Sequence, residues 1–231
     1  MKTIGLLGGM SWESTATYYR LINEGVKANL GGLNSAKIVL HSVNFAEIEA
    51  LQRTGDWQTC AQILGQAAAG LERAGAECIV ICTNTMHKVV PQLTKYVSVP
   101  IIHVADVVAQ TLKARSVERV ALLGTRFTMS EPFYAEHLSK HALEVIVPNQ
   151  DEQKMVDGVI YQELCVGQIN PSSKQQYLTL INALHKRGAQ AVILGCTEIG
   201  LLINQRDCEL TLFDTTQIHA QAAVSFACDN S

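Results

Sequence analysis

The sequence predicts an α/β protein of two pseudo-symmetric lobes, each a short parallel sheet flanked by helices, with an active site in the cleft between them. Three observations carry this. Apolar runs of four or five residues alternate with helix-period segments along the 231 residues, the pattern of buried parallel strands joined by crossover helices. The stretch Arg73-Ala74-Gly75-Ala76-Glu77-Cys78-Ile79-Val80-Ile81-Cys82-Thr83 is echoed 113 residues later by Lys186-Arg187-Gly188-Ala189-Gln190-Ala191-Val192-Ile193-Leu194-Gly195-Cys196. Gly5-Leu6-Leu7-Gly8-Gly9 is echoed 116 residues later by Ala121-Leu122-Leu123-Gly124-Thr125. Two echoes in the same order imply a duplicated unit. Both copies of the longer stretch then end in polar turns, Thr83-Asn84-Thr85 and Cys196-Thr197-Glu198, where open α/β sheets hold their ligands.

In chain order, Lys2 to Leu7 reads as the first strand, and Gly8-Gly9 allows a sharp turn into a helix from Trp12 to Leu30 that Gly31-Gly32 closes. This turn is not GxGxxG, and no GxxxxGK[ST] phosphate loop occurs, so a nucleotide is not expected. Ile38 to His41 is the second strand, Asn44 to Asp56 a polar loop, and Trp57 to Ala74 a helix leading into the third strand, Cys78 to Cys82. The polar turn after it opens a helix that Pro91 interrupts. Pro100 to His103 reads as a fourth strand and Arg119 to Leu123 as a fifth, ending at Gly124-Thr125 with Thr128 close behind. Helices near 130–140, 150–164 and 172–187, a strand near 145–147, the strand Ala191 to Leu194, a last strand near 210–213 and a helix capped by Asp214 complete the chain. No linker separates the halves; the expected lobes are 1–97 plus 211–231, and 98–210.

Composition narrows the function classes. Hydrophobic residues at 48% and charged residues at 17% describe an ordinary globular protein. A net charge of −3 leaves no basic footprint, so neither nucleic acid nor a membrane surface is an expected partner. No stretch approaches a transmembrane helix, and the N-terminal apolar run is too short for a secretory signal. Seven cysteines set in strands and helices suit a reduced, cytoplasmic protein. Cys78 and Cys82 read as small buried hydrophobes. His41, His103, His137, His141, His185 and His219 form no HExxH or similar spacing, so no metal is expected.

Thr83 and Cys196, at equivalent strand ends, suit a substrate carbon approached from opposite faces. Moving the α-proton of an amino acid from one face to the other takes one acid and one base, and a thiol of ordinary pKa near ~8.5 serves as either. Backbone N–H groups and hydroxyls at Met10, Ser11, Asn84, Thr85, Thr125, Thr128 and Thr197 offer donors for substrate carboxylates. No lysine site of the pyridoxal-phosphate type is evident, so the acidity of the α-proton falls to these fixed dipoles. Glu198 and His87 read either as orienting groups or as a helix cap and a satisfied helix histidine.

The blocks Gly8-Gly9-Met10-Ser11-Trp12, Cys82-Thr83-Asn84-Thr85-Met86-His87 and Gly195-Cys196-Thr197-Glu198 resemble the signatures of the cofactor-independent aspartate/glutamate racemases, most closely the L-aspartate/L-glutamate-specific branch. The resemblance covers essentially the whole chain. It implies a two-domain α/β homodimer that inverts acidic amino acids by two-base proton transfer without a cofactor, the last strand and helix returning to the first lobe. Cys196 would be the base for the L-enantiomer and Thr83 would stand on the opposite face. The family has a cysteine at the position of Thr83; here the cysteine sits one place back, at Cys82, on the other side of the strand. A lysine of some members falls near Cys165, and a loop arginine falls at Gln52 or Arg53, of which Gln52 is taken as the substrate contact; Glu198 joins the same list. Two alternatives stay open: a one-thiol decarboxylase or isomerase of a related dicarboxylic acid, and a catalytically silent binding protein for an acidic metabolite.

Overall fold

The computed structural model describes residues 1–229. They form two compact units, Met1–Val104 with His219 onward, and Ala105–Ile218. Each has its own parallel sheet, and among the described residues no strand joins the two sheets.

The first unit holds β1 (Ile4–Gly8), α1 (Trp12–Leu30), β2 (Ile38–Ser42), α2 (Phe45–Thr54), α3 (Trp57–Arg73), β3 (Cys78–Ile81), a 3-10 turn at Thr85–Val89 and α4 (Val90–Leu93). Its sheet order is β2-β1-β3, all parallel. β1 is buried throughout because helices cover both of its faces. Leu7, Ile79 and Ile81 pack with Leu64, Ala68 and Leu71 of α3. Ile4, Leu6, Val80 and Cys82 pack with Tyr18 and Ile22 of α1 and with Ala220 and Val224 near the C-terminus.

The second unit holds α5 (Val104–Ala114), β4 (Arg119–Gly124), α6 (Arg126–Ser130), α7 (Pro132–Ser139), β5 (Glu144–Ile146), α8 (Gln150–Gln162), a 3-10 turn at Leu164–Val166, α9 (Pro171–Lys186), β6 (Ala191–Gly195), α10 (Ile199–Leu202), a 3-10 turn at Gln205–Asp207, β7 (Thr211–Asp214) and the start of α11 (Thr215–Cys228). Its sheet order, β5-β4-β6-β7, begins with the same arrangement as the first. The strands echoed in the sequence, β1 with β4 and β3 with β6, occupy equivalent central and neighbouring places.

Four expectations are corrected. The polar segment after β2 is helix α2: Asn44 caps it, Ile48 and Gln52 lie on its buried side, and Gly55 ends it in the left-handed conformation. Pro100 to His103 forms no strand, only a single bridge between Ile101 and Ile79, because Pro100 brings no N–H to extend a ladder. The chain through Val104 stays with the first unit, so the boundary is at 104/105 rather than 97/98. The last strand does not return to the first unit: β7 pairs with β6 from Ala191↔Thr211 to Leu194↔Asp214, and only His219 onward belongs there.

A histidine cluster fills part of the first unit's interior. His219 is fully buried and joins the Tyr18 hydroxyl, 2.9 Å from its Nδ1, to the Ile102 carbonyl, 2.7 Å from its Nε2. With Nε2–H donating to the carbonyl, Nδ1 accepts from Tyr18 and the ring is neutral. The ring of His87 lies 4.8 Å from that of His103 and 5.4 Å from that of His219. Burial pushes His219 down to about 4, and burial, with the two neighbouring imidazoles, holds His87 well below its ordinary value. An unfolded histidine titrates near ~6.5, so between those values the unfolded chain binds a proton that the native His219 refuses. Stability therefore falls as pH drops from 6.5 towards 4. In His219→Gln, urea unfolding as a function of pH should lose about 3 kcal/mol less across that window; an unaltered slope would show that His219 is protonated in the fold.

Candidate active site

In the first unit, the end of β1 is built by close approach. Gly9 has φ +92° and lies where a Cβ would meet the Val43 carbonyl at 2.1 Å, so only glycine fits. Its N–H donates to Thr15 Oγ1 at 2.8 Å, and that hydroxyl donates to the Ser11 carbonyl at 2.8 Å. Ser11 caps α1, accepting from the Ser14 N–H, and Ser14 Oγ donates to the Cys82 carbonyl at 2.9 Å. That bond ties the turn after β1 to the end of β3. The Met10 side chain packs in the core, which leaves its backbone as the part available to a ligand.

Cys82 and Thr83 divide as alternation requires. Cys82 is fully buried among Ile4, Leu6 and Val80, and desolvation pushes its thiol up, so it is an inert core residue. Thr83 is half-buried. Its N–H donates to the Ile81 carbonyl at 2.8 Å, and its carbonyl accepts from His87 Nδ1 at 2.8 Å. His87 is thereby a positioning residue for the Thr83 backbone. Asn84 and Thr85 are buried where the 3-10 turn begins. Gln52 is buried and donates to Met86 Sδ at 2.9 Å, whereas Arg53 points outward to Glu49 at 2.7 Å.

In the second unit, β4 and β6 end side by side with Gly124 opposite Gly195. A Cβ on Gly195 would sit 2.9 Å from the Leu123 carbonyl, and one on Gly124 would sit 3.1 Å from the Gly195 carbonyl and from Thr128. The missing side chains let Thr128 close over both strand ends. Thr125 caps α6, its hydroxyl 3.3 Å from that of Thr128, and both residues are buried. Thr197 Oγ1 accepts from Thr216 at 3.1 Å, and the Thr215 hydroxyl donates to the Leu194 carbonyl at 2.9 Å. Together they fasten the end of β6 to the start of α11.

Cys196 follows directly. Its Sγ donates to Glu198 Oε2 at 2.9 Å. Burial, then the Glu198 carboxylate, then Cys165 push the thiol well above its ordinary value. Glu198, expected either as a substrate contact or as an orienting group, holds its carboxylate against the thiol. Cys165, on the 3-10 turn after α8, packs against the same core as Cys196.

Sequence reading missed Ser14 and Thr15, whose hydroxyls act through backbone groups far along the chain or one turn away. It set aside His137 and His141, although their four-residue spacing was visible. Both rings meet the carboxylate of Asp106.

Residues 7–223 match the Asp/Glu/hydantoin racemase family. A candidate Asp/Glu racemase of known structure from Yersinia pestis is 51% identical, with 99% of this chain and 100% of that one covered, at a TM-score of 0.94. An aspartate racemase homologue from Pyrococcus horikoshii is 35% identical over 99% of this chain and 100% of that one, at a TM-score of 0.88. The broad specificity amino-acid racemase RacX of Bacillus subtilis is 22% identical over 233 residues, 96% of each chain. With two parallel sheets of matching order and a polar turn at equivalent strand ends in each, the chain belongs to the Asp/Glu/hydantoin racemase family.

Proposed function

We propose that this protein is a cofactor-independent amino-acid racemase acting on L-aspartate or L-glutamate, with Cys196 as the base for the L-enantiomer and Thr83 on the opposite face. The observation that carries the reading is the Cys196 thiol at the end of β6, hydrogen-bonded to the Glu198 carboxylate. A thiol so far from ionising is a poor base by itself. Glu198 solves this locally: it takes the thiol proton, and the thiolate then takes the α-proton and becomes a thiol again. The electron pair left on the α-carbon delocalises into the substrate carboxylate, which neutral donors at Ser11, Asn84, Thr85, Thr125, Thr128 and Thr197 stabilise in this reading. In the same reading Gln52 contributes a neutral amide towards a substrate carboxylate, and the Met10 backbone an N–H.

On the second face the proton comes from a hydroxyl. Thr83 O–H gives its proton to the carbon while water reprotonates the oxygen, a slower step than delivery from a thiol. Cys196 therefore returns the proton to its own face more often than Thr83 delivers one to the other. The two enantiomers have equal free energy, so kcat/KM is the same in both directions whatever the separate values. In this reading the protein works as a homodimer, as its family resemblance implies, in the reduced cytoplasm that its scattered cysteines suit.

Proton NMR in D2O, with the D-content followed in parallel, tests this. L-Aspartate or L-glutamate should lose its α-proton faster than it inverts. Cys196→Ala should abolish both processes, Thr83→Ala should suppress inversion while leaving exchange, and Thr83→Cys should raise inversion on the order of tenfold or more. Binding without exchange would favour the metabolite-binding reading, and carbon dioxide release from a substituted malonate the decarboxylase reading.

A second prediction isolates the carboxylate. Glu198→Gln removes the charge that raises the thiol, so the pH midpoint of Cys196 alkylation by iodoacetamide should move to lower pH while turnover falls. An unmoved midpoint would mean that the thiol does not feel Glu198.

A further inference from the structure

We propose that Asp106, His137 and His141 form a binding site for a divalent transition-metal ion of the zinc class, separate from the residues assigned to proton transfer. Asp106 lies in the first turn of α5. His137 lies in the last turn of α7, and Lys140 keeps the helical conformation at φ −59° and ψ −23°, so the helical screw carries on towards His141. Residues four apart on such a turn present their side chains on one face. Both imidazole Nε2 atoms meet the same carboxylate oxygen: His137 Nε2 is 2.5 Å and His141 Nε2 3.2 Å from Asp106 Oδ1. The side chains are 23%, 31% and 40% exposed for His137, His141 and Asp106, which lets an ion enter from solvent.

Two imidazole nitrogens and one carboxylate oxygen are the donor set preferred by borderline ions over calcium or magnesium, which take oxygen ligands almost exclusively. Asp106 and His137 already offer ligand atoms within 4.8 Å of each other. Bonds of ~2.0–2.2 Å at tetrahedral angles put neighbouring ligand atoms about 3.3 Å apart. The two imidazoles, whose ring centres are 6.5 Å apart, have to swing towards each other about Asp106 to share an ion. In the ion-free arrangement each Nε2–H donates to Asp106; the ion takes the lone pair at each Nε2, and the proton of each neutral ring moves to its Nδ1. Three protein ligands leave the remaining positions to solvent, an exchangeable site rather than a closed structural one.

The consequence is mechanical. The ion would tie α7 to α5, and α7 follows directly on α6, whose cap is Thr125 and whose third residue is Thr128. Loading the site therefore steadies the turn that in the proposed function holds substrate. The metal site does not depend on that function, and it is read out by binding and stability.

The test is calorimetric titration of chelator-treated protein with Zn2+ alone, in a Cys196→Ala background so that the thiol does not compete. One equivalent should bind, and the thermal midpoint should rise by several degrees at saturation. Asp106→Asn, His137→Ala and His141→Ala should each weaken binding on the order of tenfold to a hundredfold, with circular dichroism checking that each variant is folded. Asp106→Asn keeps the side-chain shape, so its loss of affinity reports the charge and not the packing. Zinc binding that the three variants leave unchanged, absence of binding by folded protein, or Mg2+ competing as well as Zn2+ would overturn the assignment.

Discussion

Much of the second unit's chemistry depends on two glycines lying opposite each other where β4 and β6 stop. Backbone oxygens and Thr128 occupy the space that side chains at Gly124 and Gly195 would need. Because the strand ends approach so closely, Thr128 covers both, Thr125 turns the chain into α6, and Cys196 leaves the sheet at a fixed point. The first unit uses the same device in a different form. Gly8 lies under Thr15, Thr15 holds Gly9 and Ser11, and Ser14 reaches across to the Cys82 carbonyl. In each unit a threonine beyond the strand fills the place of a missing Cβ.

The two strand ends differ most in what desolvation does to them. Cys82 is sealed in the core, and nothing offsets the cost of ionising it. Cys196 is also hard to ionise, yet its hydrogen points at a carboxylate, so a proton has somewhere to go. Thr83 has neither a low pKa nor such a neighbour on its hydroxyl; its backbone, held between Ile81 and His87, is what the fold fixes. The proposed imbalance between exchange and inversion follows from that difference in proton affinity, with no difference in geometry required.

Burial also explains the first unit's histidines. His219 and His87 are neutral because charging either would strand an ion among apolar groups and other imidazoles. In the second unit His137 and His141 are partly solvated and face a carboxylate, where, as proposed, an imidazole can take an ion. The same residue type thus serves a sealed core in one unit and an open cluster in the other, and its surroundings alone decide which.

The sequence by itself determined the parallel α/β class, the duplication, the strands β1, β3, β4 and β6 to within a residue or two at their ends, and the polar turns after them, because buried parallel strands and glycine-hydroxyl turns are written in consecutive residues. It also separated Cys82 from Thr83, since alternation is local. Helix α2 was legible too, in its Asn44 cap and Gly55 stop, although polar residues disguised it. Only the tertiary structure decided that β7 extends the second sheet, since a strand's partner is chosen by packing and not by its own residues. Only the tertiary structure brought Asp106 to two histidines 31 and 35 residues away. Those contacts depend on where helices cross, a property of the assembled core that no single stretch of chain carries.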